Sequence, residues 1–211
     1  MSLQIQQEDI LNARLRFGIS RETKVLVTAG ILTHRKHFEI LLKCLPKIEM
    51  SNLCLLIIGE GSTKSDFIYK NYLKELRQTL KIDRKVILPG WIEKEELLKI
   101  YWSADLFILP SLREGMPNAL LEALGCDIPC LGSNIPGIRD ILHYDELMFA
   151  PSDEQAITTK ILNFFSDVHY SNYIAGLCRE RKRAFVFDWK ERVFQMVTQR
   201  PFHRGEECRS R

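Results

Sequence analysis

The sequence predicts a doubly wound α/β fold, a parallel sheet with helices on both of its faces. Three observations carry that expectation. Short aliphatic runs such as "KVLVTA" (Lys24–Ala29), "LCLLII" (Leu53–Ile58) and "DLFIL" (Asp105–Leu109) show no polar alternation, so both faces of each strand are buried. Segments of helical period separate these runs, and parallel neighbours require such crossovers. Glycine and proline follow the runs, where an α/β sheet places its loops.

The elements follow in order. Residues Leu3–Phe17 carry Ile5, Ile10, Leu11 and Leu15 at helical spacing, and Gly18 stops the helix. Lys24–Ala29 is the first strand and His37–Ile48 a helix. Leu53–Ile58 is the second strand, followed by a highly charged helix over Ser65–Lys81. Lys85–Leu88 reads as a short strand, Glu93–Trp102 as a helix, and Asp105–Leu109 as a strand. Asn118–Gly125 is helical and Pro129–Leu131 begins another strand. Beyond Ala150 the pattern is helical over Asp153–Phe165, His169–Ala184 and Asp188–Gln199, where Asp188 and Glu191 form an N-cap and its reciprocal partner. Pro201–Arg211 has no apolar period. The expected division is a linker helix at 1–20, one α/β domain at 21–199, and a flexible tail at 200–211.

Composition narrows the function classes. Hydrophobic residues make up 45% and charged residues 27%, the proportions of a soluble globular protein rather than a disordered one. A net charge of +3 is too small to argue for nucleic acid, but suits an anionic small ligand. The positive charge is uneven, concentrated in "RERKR" (Arg179–Arg183) and the C-terminal tail. None of the six cysteines forms a CxxC pair, and no histidine stands at ligand-like spacing from them. A reducing, cytoplasmic setting without disulfides or metal is expected. No apolar run is long enough to span a bilayer, and the N-terminus lacks the basic and apolar regions of a signal peptide.

In doubly wound sheets, ligands bind beyond the carboxyl ends of the strands. The loops there are Gly30–Lys36, Gly59–Lys64, Gly90–Ile92 and Pro110–Asn118. The last opens "SLREGMPNALLEAL" (Ser111–Leu124). Pro117 suits the start of a helix because it has no N–H to leave unpaired. The first amides, at Asn118, Ala119 and Leu120, then point outward from an end bearing about half a positive charge, which is an anion site. Glu114 precedes that site and Glu122 follows one turn after Asn118, on the same side of the helix. Carboxylates beside an anion are reasonable if they bond its neutral flanks, and a sugar diol gives an ionised carboxylate two donors at once. The plain alternative makes Glu114 a solvated loop residue and Glu122 an ordinary helix position.

The string "SLREGMPNALLEALGCDIPCLGSNIPGIRDIL", with "TAGILTHRKHFEILL", "LCLLIIGEGS", "KVILPGWIEKEELLKIYWSADLFILPS" and "FDWKERV", resembles glycosyltransferase family 4, from about Lys24 to Thr198. The resemblance implies the C-terminal, Rossmann-like half of a GT-B enzyme. It implies retaining transfer of a sugar from a nucleotide-diphosphate donor, a UDP-sugar, to an acceptor hydroxyl in cell-surface polysaccharide or glycolipid synthesis. It assigns the donor sugar to Glu114, Gly115, Met116 and Pro117, the diphosphate to the amides of Asn118 and Ala119, and the ribose to Glu122. Lys36 matches the lysine that neutralises the leaving diphosphate, and the base is read by the backbone at Trp91 or Ile92. Glu114 and Lys36 are the expected catalytic pair. The acceptor, a glycan or lipid-linked molecule, comes by way of an N-terminal domain that precedes the matched half. The full-length enzyme is compatible with peripheral association at the inner membrane face. No cofactor, metal or nucleic acid is implied, and this chain alone is expected to bind donor but transfer little.

One departure stands out. The family's arginine after the first strand falls on Ile31; Arg35 or His34 could compensate, or could face solvent. Gly30 ends the first strand at the donor site. "GEG" (Gly59–Gly61) lacks a third glycine and is weak as a dinucleotide fingerprint; it is expected both to turn tightly and to let backbone approach a ligand. The Trp91 side chain is expected to pack, Asp105 to act as a buried cap, and Asp127 to take a left-handed helix end. Three other classes share parts of the pattern. A glycosidase would also pair carboxylates, about 5–9.5 Å apart. An epimerase would release a free sugar epimer, and a binding module would hold donor without turnover.

Overall fold

A computed structural model describes residues 7–185. The expected helix at 188–199, its Asp188–Glu191 cap, Phe187, Trp189 and the tail lie outside the described residues. The chain runs through α1 (Gln7–Leu15), β1 (Lys24–Ala29), α2 (Glu39–Cys44), β2 (Leu53–Ile58), α3 (Lys64–Thr79), β3 (Val86–Gly90), α4 (Lys94–Ser103) and β4 (Leu106–Leu109). It continues through α5 (Asn118–Gly125), β5 (Cys130–Ser133), α6 (Pro136–Leu142), β6 (Met148–Phe149), α7 (Glu154–Ser166) and α8 (Val168–Phe185).

The six strands form one parallel sheet in the order β3-β2-β1-β4-β5-β6. The doubly wound expectation is met. All six residues of β2 and all four of β4 are buried, the cause of their unbroken apolar character. Winding runs one way from β1 to β3 and the other way from β4 to β6. The direction reverses between neighbours β1 and β4, and the loops leaving these two strands therefore part at a shared crevice.

Several local expectations change in the fold. The helix read over His37–Ile48 is interrupted: α2 ends at Cys44 and a 3-10 turn, Leu45–Lys47, follows with Pro46 inside it. α6 and β6 were not read from the sequence, because "NIPGIRDIL" and "MF" are too short to show a period. In α1 the buried residue is Ala13, whereas Leu15 is 59% exposed and does not join the apolar stripe. α1 is docked, not loose. The Arg14 guanidinium donates to the carbonyls of Ser103 (2.8 Å) and Thr23 (2.9 Å) and reaches Asp105 Oδ2 at 3.3 Å. Asp105 Oδ2 also accepts from Val25 N at 2.7 Å, so its role is to tie α1, β1 and the start of β4 together.

Candidate functional site

The site grows from the β1–β4 junction. After β1 the chain passes Gly30, held at φ +152°, and enters a 3-10 turn at His34–Lys36 that ends on His37 in the left-handed region. That turn is supported from below. Tyr69 of α3 is fully buried, lies 4.5 Å from the His34 ring, and its hydroxyl accepts from Phe38 N at 2.8 Å. Lys36 folds back over Gly30: a Cβ on residue 30 would stand 2.9 Å from Lys36 Cε. Glycine at 30 is favoured by this φ, and a side chain there would also press on the Lys36 stem.

The loop after β4 meets this turn directly. Leu112 N donates to Arg35 O at 2.8 Å. Lys36 Nζ donates to Glu114 Oε1 at 2.6 Å, and the two side chains are only 8% and 6% exposed. Ser111, fully buried, donates its hydroxyl to the same oxygen at 2.7 Å. Glu114 Oε2 takes part in neither bond. Residues 78 apart in sequence therefore form a buried ammonium–carboxylate pair, which is stable only while both partners remain.

Beside the pair, α5 begins at Pro117 with no side chain capping it. Two helices close their starts with side chains: Thr63 and Asp66 form a complete capping box on α3, and Asp153 Oδ1 accepts from Ala156 N at 2.9 Å on α7, whereas α2, α4 and α6 start without a side-chain cap, as α5 does. Leu120 N, expected to point outward, instead donates to Pro117 O at 3.1 Å, so α5 leaves the Asn118 and Ala119 amides for an incoming acceptor, at the end where the helix dipole favours an anion. Glu122 lies one turn on, 29% exposed, with Lys94 Nζ at 3.8 Å. It thus faces the start of α4, which the Gly90–Ile92 loop leads into. Glu114 belongs to the β1 side of α5 and Glu122 to the β3 side.

The remaining expected residues fall into two groups. Gly115, Met116, Asn118 and Arg35 are exposed, Pro117 is buried, and Ala119 is half-buried. Ile31 is 51% exposed at the position of the missing arginine. Trp91 does not pack as expected: it is 65% exposed, because Gly90 at φ +85° turns the chain out of the sheet before it. Trp91 and the half-buried Ile92 instead border a hollow with Arg16, Glu93, Glu96 and Lys99. The close approach that "GEG" permits is internal. A Cβ on Gly59 would lie 1.9 Å from Gly30 O, and one on Gly61 would lie 2.0 Å from Asp66 Cβ. These half-buried glycines pack loop on loop and loop on helix in the direction their side chains would take. Asp127 sits at φ 59°, the left-handed position expected of it.

Three residues of the site had no signal of their own in the sequence. Ser111 is one of many serines until its hydroxyl is seen on Glu114. Lys94 meets Glu122 only through the fold. Gly137, the second residue of α6, lies against the Glu114 loop: a Cβ there would be 2.0 Å from Gly115 O and 2.6 Å from Glu114 O. Among the described residues no group of three or more His, Cys, Asp or Glu side chains is arranged to hold a metal.

Known proteins resemble this chain in sequence and in fold. A family model described as Glycosyl transferases group 1 matches residues 23–167. The chain is 32% identical over 170 residues to the UDP-Gal:alpha-D-GlcNAc-diphosphoundecaprenol alpha-1,3-galactosyltransferase of Escherichia coli, covering 78% of this chain and 42% of that protein. It is 28% identical over 177 residues to an uncharacterized glycosyltransferase of Methanocaldococcus jannaschii, covering 82% and 44%. Among solved structures, Anabaena HepE in complex with UDP-glucose shares the fold at a TM-score of 0.80 and 17% identity, over 92% of this chain and 53% of that one. The chain spans less than half the length of the two curated relatives.

Proposed function

The chain belongs to the glycosyl transferases group 1, and from that premise we propose that it is the donor-binding half of a retaining glycosyltransferase that uses a UDP-sugar. One observation carries the reading: the buried Lys36–Glu114 pair stands at the sheet's switch point, where the loop that carries Glu114 leads into the uncapped start of α5. UDP is the favoured nucleotide because the Escherichia coli relative is named for UDP-Gal and HepE was solved with UDP-glucose. The diphosphate meets the α5 amides and Lys36. The ammonium has three N–H donors and spends one on Glu114, leaving others for phosphate oxygens. As the sugar–phosphate bond breaks, negative charge grows on the departing oxygen, and donors already fixed in place stabilise it without rearranging. Glu114 Oε2 addresses sugar hydroxyls, Glu122 the ribose, and the Trp91–Ile92 segment the base.

The acceptor contacts come from a second domain, as the family resemblance implies, and the acceptor class is a glycan or lipid-linked saccharide. The exposed Ile31 favours a second reading, donor binding with weak turnover, since one diphosphate-neutralising cation is absent there. Calorimetry with UDP and UDP-sugars, joined to a transfer assay, tests both. Glu122→Ala should weaken UDP and UDP-sugar alike, by about tenfold for a lost charged hydrogen bond. Glu114→Gln should spare UDP and weaken only the sugar-bearing ligand. Equal losses in both variants would overturn the division of roles, and failure of the wild-type chain to bind any nucleotide would overturn the function itself.

A further inference from the structure

The Glu114 loop is held from two sides and braced by one bond within it. Leu112 N is bonded to Arg35 O at 2.8 Å, tying the loop to the β1 turn. Ser111 Oγ donates to Glu114 Oε1 at 2.7 Å from a fully buried position. From behind, α6 presents Gly137 so closely that even a methyl there would overlap the carbonyls of Gly115 and Glu114, at 2.0 and 2.6 Å. A solvated loop does not need such support, and a binding constellation does, because small displacements of the contact atoms lose the interaction.

We propose that Ser111 and Gly137 are positioning residues for the sugar moiety of the donor. Ser111 and Lys36 both donate to Glu114 Oε1, which restrains rotation of the carboxylate and leaves Oε2 as the oxygen offered to the sugar. Gly137 sets the backbone stance of Glu114–Met116 by letting α6 approach it. Neither residue needs to touch ligand. The inference rests on the donor-binding reading above, and it adds that sugar recognition is controlled from behind the loop.

The test is the ratio of dissociation constants for UDP-glucose and UDP, repeated with UDP-galactose and UDP-N-acetylglucosamine, on the whole chain. Ser111→Ala should raise the ratio about tenfold for the sugar that wild type prefers, leaving UDP affinity unchanged. Gly137→Ala, whose methyl would stand 2.0 Å from Gly115 O, should raise the ratio at a cost in stability, and Ser111→Cys, similar in size but a weaker donor, carries the test if Ser111→Ala fails to fold. A purely structural role would lower the melting temperature and change both ligands together, or neither. Unchanged ratios in folded variants would overturn the proposal while leaving the donor site intact. A wild-type chain that binds UDP, but no sugar nucleotide differently from UDP, would overturn it as well. A wild type that binds no nucleotide removes the underlying reading, and the proposal falls with it.

Discussion

At the scale of single residues, Lys36 and Glu114 show how strongly one contact constrains what surrounds it. Each side chain is almost fully enclosed, so removing one leaves the other charged and unpaired out of water. Lys36→Ala should cost about 3–5 kcal/mol in urea unfolding, whereas Lys36→Met combined with Glu114→Leu should recover most of the loss, because the uncompensated charge is then gone. A site pair with an opposite, purely surface character would show under 1 kcal/mol for either single variant. Gly59 makes a second prediction. Its φ of +139° and the 1.9 Å approach to Gly30 O leave no place for a methyl, so Gly59→Ala should destabilise by at least about 3 kcal/mol or prevent folding. Gly115→Ala, with open space at its Cβ, should not, and thermal melts of the two variants compare them directly.

At the scale of elements, α3 and α5 have opposite starts. α3 closes its own amides with Thr63 and Asp66, and α5 leaves its start bare after Pro117. Thr63→Ala should therefore cost about 1 kcal/mol of stability and leave UDP affinity unchanged. Pro117→Ser should do the reverse. The new hydroxyl can cap α5, which stabilises by about 1 kcal/mol, while loss of proline's rigidity costs about 0.4–1 kcal/mol. Stability then changes little, but the hydroxyl competes with phosphate for the same donors and UDP affinity falls. Melting curves and calorimetry on this one variant distinguish a ligand-binding helix start from an idle one. α5 itself was legible from Pro117 and the apolar period after Asn118. α6 was not, since seven residues beginning Pro-Gly look like a turn until they are packed behind the Glu114 loop.

At the scale of the whole molecule, the five cysteines of the described residues are all buried and unbridged. Burial pushes the Cys54 and Cys126 thiols up to about 11 from an ordinary value near 9. In the unfolded chain these thiols ionise at the ordinary value, so unfolding releases protons once the pH passes about 9. Their contribution is fully present below that pH and is lost as the pH rises through about 11. Stability should accordingly fall between about pH 9 and 11, by up to about 3 kcal/mol for each thiol, and Cys54→Ala with Cys126→Ala should flatten that part of the profile. Denaturant titrations at stepped pH measure it. Site-resolved alkylation gives a parallel check, with Cys44, Cys54, Cys126, Cys130 and Cys178 protected until the chain unfolds.

Most strands and helices, the parallel sheet and the loops at its carboxyl end were determined by the sequence alone, because apolar period and glycine–proline punctuation are local properties; α6, β6 and the break in the helix after His37 were not. Glu114 and Glu122 were marked there too, through a motif whose spacing sets them along one loop and one helix, and Lys36 through the family resemblance of the turn after the first strand. Only the tertiary structure decided that Lys36 and Glu114 touch, that Ser111 and Gly137 steady the loop, that Trp91 stands in solvent and that "GEG" serves packing. Each of those outcomes depends on which loops the strand order β3-β2-β1-β4-β5-β6 brings side by side, and contact across 78 residues leaves no trace in a local pattern.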